Sequence, residues 1–252
     1  MANLKRNILA ITFVVGHISA DAQMTSHDAE QAAWIEAVTS SMVYTEKLYT
    51  TKAVVVDADK NGLRAIDVNG LSDFYRNKGW KKVESLQSIG ATDANVHIGY
   101  EIATFKAGDE SYTQLIIWNQ KNGGPLRELE VIGRSVNQGN VTAEVLDAPR
   151  AKWIRLCNEH DPLKLVAELY TADAMYYNHK PMIVGTEAIA KEYWYMGNSS
   201  YQLSLAPIMI EMVNPDLAFE IGQCSGSYNG KYVLVWKKSA DKGWQVGLDS
   251  NI

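Results

Sequence analysis

Leu169 to Trp194 reads "LYTADAMYYNHKPMIVGTEAIAKEYW", and Leu48 to Tyr75 reads "LYTTKAVVVDADKNGLRAIDVNGLSDFY". Both start Leu-Tyr-Thr, run through an extended apolar segment, and finish in an amphipathic segment ending in aromatics. The echo continues on both sides. Trp34 matches Trp153 at an offset of 153 − 34 = 119, Tyr49 matches Tyr170 at 170 − 49 = 121, and Tyr75 matches Tyr193 at 193 − 75 = 118. "LIIWNQK" (Leu115–Lys121) matches "VLVWKKS" (Val233–Ser239), again at 118. A steady offset of this kind marks a duplicated unit. Each unit has the size of an ordinary domain, about 115 residues. The expected domains are 27–138 and 148–252, divided near "GNVTAEVLDAP" (Gly139–Pro149). That divide holds no long Gly/Ser linker, so close packing of the two domains is expected.

The second repeat is the easier to read. Trp153, Ile154, Leu156 and Cys157 form a helical apolar stripe. Asp161-Pro162 is a helix restart, with Asp as N-cap and Pro in the first turn. "LKLVAELY" continues that helix, and Thr171–Asp173 closes it. "AMYYNHK" is extended, and "TEAIAKEYWYM" is a third helix with Thr186 as its N-cap. Four strand-like segments follow, separated by Asn214-Pro215-Asp216, Asn229-Gly230 and Asp241-Lys242-Gly243 turns, and should form an antiparallel meander. The first repeat follows the same order, with Asn122-Gly123-Gly124 as one hairpin turn. Helices segregated from a run of strands give an α+β fold.

Composition narrows the function classes. The chain has 252 residues and a formal net charge of −5, without a cluster of Lys and Arg, so nucleic acid is not an expected partner. Lys5 and Arg6 precede an apolar run, Ile8–Ile18, and then Ala20-Asp21-Ala22. This is the pattern of a signal peptide over residues 1–22, cleaved to leave Gln23. Its apolar run is shorter than the roughly 20 residues of a membrane span. The expected product is periplasmic or secreted, with no membrane attachment after cleavage. Cys157 and Cys224 both lie in the second repeat, either as small buried apolar residues or as a disulfide. His27, His97, His160 and His179 are scattered, and no metal-ligand spacing or phosphate-binding Gly loop occurs, so no metal or cofactor is expected.

The element order, with "DPLKLVAELYTADA" before the first strand and the ending "GKYVLVWKKSADKGWQVGLDSN", resembles the nuclear transport factor 2-like superfamily. Its polyketide-cyclase-like and ketosteroid-isomerase-like branch is the most similar. The resemblance covers Arg150–Ile252 well and Glu30–Ser135 chiefly through the repeat. It implies two cone-shaped domains, each a curved antiparallel sheet wrapped over helices around an apolar pocket. Members include isomerases, cyclases, dehydratases, binding modules and assembly domains, so the fold alone leaves function open.

The resemblance also implies where a site would lie. Isomerases of this type set a first-strand carboxylate base against an oxyanion hole made of a tyrosine and a neutral carboxylic acid. Asn178 falls at the base position of the second repeat, and an amide cannot take a proton; Asp57 falls there in the first. The second repeat ends Asp249-Ser250-Asn251 at positions expected to face the pocket, against Val131-Ile132-Gly133 at offset 118. On this alignment neither repeat holds both halves of an acid–base pair. Glu220 alternates with apolar residues on its strand and is a candidate only if it points inward. The candidate catalytic residues are therefore Asp249, Glu220 and Asp57. Trp153, Tyr177, Asn178, Trp194, Tyr232, Trp236 and Asn251 are the candidate ligand contacts, the aromatics being either core or the wall for a flat ligand. His179, near the mouth, reads as a surface residue.

The expected function is binding of a small apolar or aromatic molecule in the second domain. An isomerase-, cyclase- or dehydratase-type enzyme and a ligand-free structural or dimerisation module are the alternatives. Similar single domains pair sheet to sheet, so a tandem chain is expected either as a monomer by internal pairing or as a homodimer.

Overall fold

The computed structural model describes residues 27–40, 45–59, 61–93, 97–120, 124–136, 139 and 141–252. The expected signal peptide lies outside the described residues, as do Asn122 and Gly123. No helix among the described residues is long and apolar enough to cross a membrane.

The first repeat comprises α1 (Asp28–Ser40), α2 (Thr45–Leu48), β1 (Tyr49–Asp59), β2 (Gly62–Asp67), α3 (Leu71–Lys78), β3 (Val83–Asp93), β4 (Ile98–Ala107), β5 (Glu110–Asn119) and β6 (Leu126–Ser135). The second comprises α4 (Asp147–Asn158), α5 (Pro162–Leu169), β7 (Tyr170–Tyr177), β8 (Ile183–Val184), α6 (Thr186–Glu192), β9 (Leu203–Asn214), β10 (Leu217–Gly226), β11 (Lys231–Ser239) and β12 (Gly243–Ser250). The sheet orders are β2-β1-β6-β5-β4-β3 and β8-β7-β12-β11-β10-β9, the same order twice. The α+β class and the duplication are thus as expected.

Three local readings change. The meander is antiparallel, but the first strand of each repeat joins the last strand in parallel, β1 to β6 and β7 to β12, so each sheet is mixed. Leu-Tyr-Thr does not close a helix. The helix ends at the leucine, and Tyr49 and Tyr170 are the first strand residues, because their rings must turn into the cone. Gly185, with φ +92°, is the N-cap of α6 in place of Thr186, which is the first helical residue. Asp161 does cap α5, accepting from Lys164 N at 2.9 Å, with Pro162 in the first turn.

Each strand sends alternate residues to opposite faces. One face of each sheet wraps its own helices, giving two separate cores around Trp34, Leu71 and Tyr75 and around Trp153, Leu165 and Tyr193. The other faces pack against each other in a third core that both repeats share, with Val56, Leu115, Ile117 and Val131 from one sheet and Phe219, Ile221, Val233 and Leu248 from the other. Burying both faces explains why β5 and β11 read as continuous apolar runs rather than alternating ones.

Polar contacts rim the shared core. Tyr100 Oη donates to Ile252 O at 2.7 Å and Asn214 Nδ2 to Arg134 O at 3.2 Å. Glu128 of β6 accepts from Tyr177 Oη at 3.2 Å and from Asn119 Nδ2 at 2.7 Å, and is ion-paired with His179. Burial pushes its carboxyl up, but His179, Asn119 and Tyr177 outweigh that and leave it below the usual range. His179 is therefore a cross-repeat contact, and Tyr177 faces the other repeat rather than the pocket of its own.

Gly133 is a close contact between the sheets, since a Cβ there would lie 2.6 Å from Leu217 Cδ2 and 2.9 Å from Val213 Cγ1. Gly133→Leu should wedge the sheets apart and lower stability by about 1–3 kcal/mol, read as a shift of the urea midpoint.

Candidate functional site

The second cone converges on one carboxylate. Asp249 on β12 is 5% exposed, and its Oδ2 accepts the hydroxyl of Tyr170 at 2.7 Å and that of Tyr193 in a shorter contact. The two hydroxyls lie 3.2 Å apart, and Trp153 Nε1 donates to Tyr170 Oη at 3.0 Å. The four groups come from four elements: α4 supplies Trp153, the start of β7 Tyr170, the turn after α6 Tyr193, and β12 Asp249. Burial pushes the Asp249 carboxyl up to about 6, against the opposing pull of the Tyr193 and Tyr170 hydroxyls and the backbone at Ser250. No side-chain donor among the described residues is aimed at Oδ1.

Asp249 lines a cavity of about 20 Å³ with Trp153, Tyr193, Tyr195, Tyr201, Tyr232 and Asn251. That holds about one water. Anything larger needs the wall to move; Tyr195 and Tyr201, which meet edge-to-face at 5.4 Å beside the exposed run Gly197–Ser200, form a half-buried side of it.

Glu220 points into the same core and is fully buried. Both its oxygens are held by Arg150, Nε at 2.7 Å and Nη2 at 2.9 Å, and they also accept from Tyr232 Oη at 2.6 Å and Trp236 Nε1 at 2.8 Å. Gly222 makes this possible: a Cβ there would overlap the Tyr232 ring at 2.3 Å. Four donors leave Glu220 no free oxygen for a base, so it serves as a buried anchor for α4.

The first cone repeats the cluster. Trp34 Nε1 donates to Tyr49 Oη at 3.1 Å, and Tyr49 and Tyr75 donate to the two oxygens of Glu130 at 2.8 and 3.0 Å. Strand register fixes the equivalence. Glu130 lies beside Val55 and Asp249 beside Tyr176, and 55 − 49 = 176 − 170 = 6. The counterpart of Asp249 is thus Glu130, not Val131, at an offset of 249 − 130 = 119. Each repeat does carry a carboxylate there; the alignment at 118 slipped by one residue, which flips a strand's faces. Glu101, bonded to Trp118 Nε1 at 2.8 Å, corresponds likewise to Glu220.

The repeats differ in where they place arginine. In the first cone Arg127 on β6 donates to Glu130 at 2.7 Å and lies over Trp34 and Trp118, 4.7 and 5.0 Å from the ring centroids. Gln114 adds a donor to Glu130 at 2.6 Å. Glu101 has His27, Gln31, Ser88 and Trp118. Burial pushes Glu101 up, yet those donors and the Arg127 charge bring it below the usual carboxylate range. In the second cone Val246 stands beside Tyr170 and Trp236 as Arg127 stands beside Tyr49 and Trp118. Arginine appears instead on α4 as Arg150, at the position of Gln31, and serves Glu220. Asp249 is left with neutral donors alone.

Other candidates lie elsewhere. Asp57 is in an open cleft of about 540 Å³ beside α3, paired with Arg64 at 3.2 Å and Lys78 at 2.8 Å, so two cations occupy the oxygens a base would need. Trp194 is 76% exposed and does not line the cavity. Trp236 is buried core. Asn178 Nδ2 lies 3.3 Å from Tyr176 Oη, which donates to Asn251 Oδ1 at 2.5 Å. Cys157 and Cys224 are free thiols that burial, aided by the Asp249 charge, pushes up to about 12. Among the described residues no group of three His, Cys, Asp or Glu could hold a metal ion. Sequence reasoning missed Arg127, Arg150 and Glu130, whose burial no sequence pattern marks.

Asp249 holds its proton more tightly folded than unfolded, so its contribution favours the fold at low pH and is lost as pH rises through about 6. Relative to Asp249→Asn, the wild type should lose about 2 kcal/mol of stability between pH 4 and pH 7, measured by urea unfolding at each pH. Arg150→Met should cost about 3–5 kcal/mol by stranding buried Glu220, and the paired change Arg150→Met with Glu220→Leu should recover much of it.

No family model matches the sequence, and no curated protein matches it. Solved structures do match. An NTF2-like protein from Shewanella oneidensis MR-1 is 14% identical, covering 43% of this chain and 96% of its own, with a TM-score of 0.38. A ketosteroid isomerase-like protein from Erwinia carotovora atroseptica SCRI1043 is 20% identical, covering 45% and 98%, with a TM-score of 0.37. A domain with a cystatin-like fold from Nostoc punctiforme PCC 73102 is 20% identical, covering 44% and 78%, with a TM-score of 0.37. Each covers less than half of this chain, and the similarity is one of fold.

Proposed function

We propose that this is an exported protein whose second domain binds a small, largely apolar or aromatic molecule at the Asp249 end of its cone. One observation carries the reading. Asp249 is a buried carboxylate without a cationic partner, at the wall of an aromatic cavity, while its counterpart Glu130 is tied up by Arg127. A polar group left short of partners inside an apolar, aromatic-lined site is how small-molecule sites fix orientation. The first domain reads as the structural partner. Its inner space is filled by Trp34, Trp80, Phe105 and Tyr112 packed ring on ring. Export rests on the N-terminal sequence. A monomeric state is supported by the mutual burial of the two sheets' outer faces.

A second reading, acid–base catalysis on the bound molecule, is favoured by a carboxyl that titrates near neutrality beside two tyrosine hydroxyls. In that reading Asp249 takes the proton, and the Tyr170 and Tyr193 hydroxyls hold its carboxylate in place.

Chain from Gln23 onward, incubated with a lysate of small molecules and read by native mass spectrometry, should retain a ligand that Asp249→Asn loses at least ten-fold. Equal retention by Asp57→Asn places the ligand outside the first-domain cleft. Absence of any retained mass in the wild type would remove the binding reading.

A further inference from the structure

The first cone shows what its own carboxylate end accepts. At Glu130 the two tyrosine hydroxyls are joined by an amide donor and a guanidinium, and the guanidinium lies over two indole rings. The second cone keeps both tyrosines and both tryptophans. It lacks the other two donors, because Gln114 is replaced by Tyr232, which turns to Glu220, and Arg127 by Val246. Asp249, one methylene shorter than Glu130, lines the cavity. Both tyrosines sit on Oδ2 and the backbone at Ser250 adds a neutral donor, so no cation reaches the carboxylate.

We propose that the ligand of the second domain is an organic cation, a small molecule with an ammonium or guanidinium head on an apolar or aromatic body. Its head supplies to Asp249 the charge that Arg127 supplies to Glu130. The inference rests on the binding reading above and names its chemical class. The lining suits it: rings of Trp153, Tyr193, Tyr195, Tyr201 and Tyr232 surround the carboxylate, and aromatic faces attract a desolvated cation. A neutral aromatic molecule would gain the ring contacts but would leave the buried carboxylate unpaired. Arg150 does not fill the place, since Glu220 and Asp147 hold its guanidinium. The head enters past Tyr195 and Tyr201, the half-buried part of the wall.

Benzylammonium and benzyl alcohol share a ring and a length and differ in charge. Calorimetric titration of the chain from Gln23 onward at pH 7.5 should give benzylammonium at least ten-fold the affinity of benzyl alcohol. That preference should shrink at pH 5, where Asp249 takes up its proton. The other titratable groups facing Asp249 are Tyr170, Tyr176, Tyr193, Tyr195, Tyr201, Cys157 and Cys224, with His160 at 3.2 Å from the carbonyl of Met196. His160→Gln should therefore keep the pH effect and Asp249→Asn abolish the preference. The unaltered chain's own pH profile stands if Asp249→Asn fails to fold. Equal or better binding of benzyl alcohol overturns the cation inference and leaves the apolar-ligand reading standing. Binding of neither probe overturns both, and benzylammonium binding untouched by Asp249→Asn overturns the assigned site.

Discussion

The tryptophan–tyrosine cluster of each cone holds two buried carboxylates, Glu101 and Glu130 or Glu220 and Asp249, and one buried arginine, and the chemistry of each cluster follows from which carboxylate the arginine serves. An ionised carboxylate in a protein interior costs several kcal/mol unless it is paired and fully hydrogen-bonded. One guanidinium can neutralise one of the two. In the first cone it lies on β6 and serves the carboxylate of that same last strand, Glu130. In the second it lies on α4 and serves the β10 carboxylate, Glu220. The unserved groups then take different routes. Glu101 collects four donors and stays low, whereas Asp249 collects two hydroxyls and is pushed up. Moving one cation from strand to helix leaves the carboxylate of the same tetrad with neutral donors alone.

Much of this was legible in the sequence, because duplication supplies an internal comparison. Paired tryptophans, the Leu-Tyr-Thr echo and the final Val-Trp-Lys strand gave the two α+β units and their element order. Strand pairing was less visible. β2 and β8 are short, the latter two residues long, and nothing in their composition separates them from loop. Buried charge was least visible. Arg127, Arg150, Glu128 and Glu130 are polar letters in strands or helices that look solvated, and their partners are 70 or more residues away in the case of Arg150 and Glu220. The offset also drifts between 118 and 121, and a slip of one residue on β6 was enough to hide Glu130 behind Val131.

Tyr177 and Tyr176 show the same limit at a finer grain. Adjacent letters in "AMYYNH" look interchangeable as pocket aromatics. Alternation sends Tyr176 inward toward Asn251 and Tyr177 outward to Glu128 and the backbone of Lys52. One belongs to the cone and the other to the joint between cones. The echo with "VVVDA" therefore compares two joints as much as two sites.

The last strand of each repeat occupies the middle of its sheet, between the first strand and the meander. For the second sheet that strand is β12, the final segment before Ile252. During synthesis the apolar outer face of the first sheet is finished long before its cover exists, and the cover cannot close until Gly243–Ser250 arrives. Loss of the last ten residues would do more than remove Asp249. It would split the second sheet between β7 and β11 and leave a broad greasy surface on the first, so a premature stop there should yield an aggregate rather than a weakened binder.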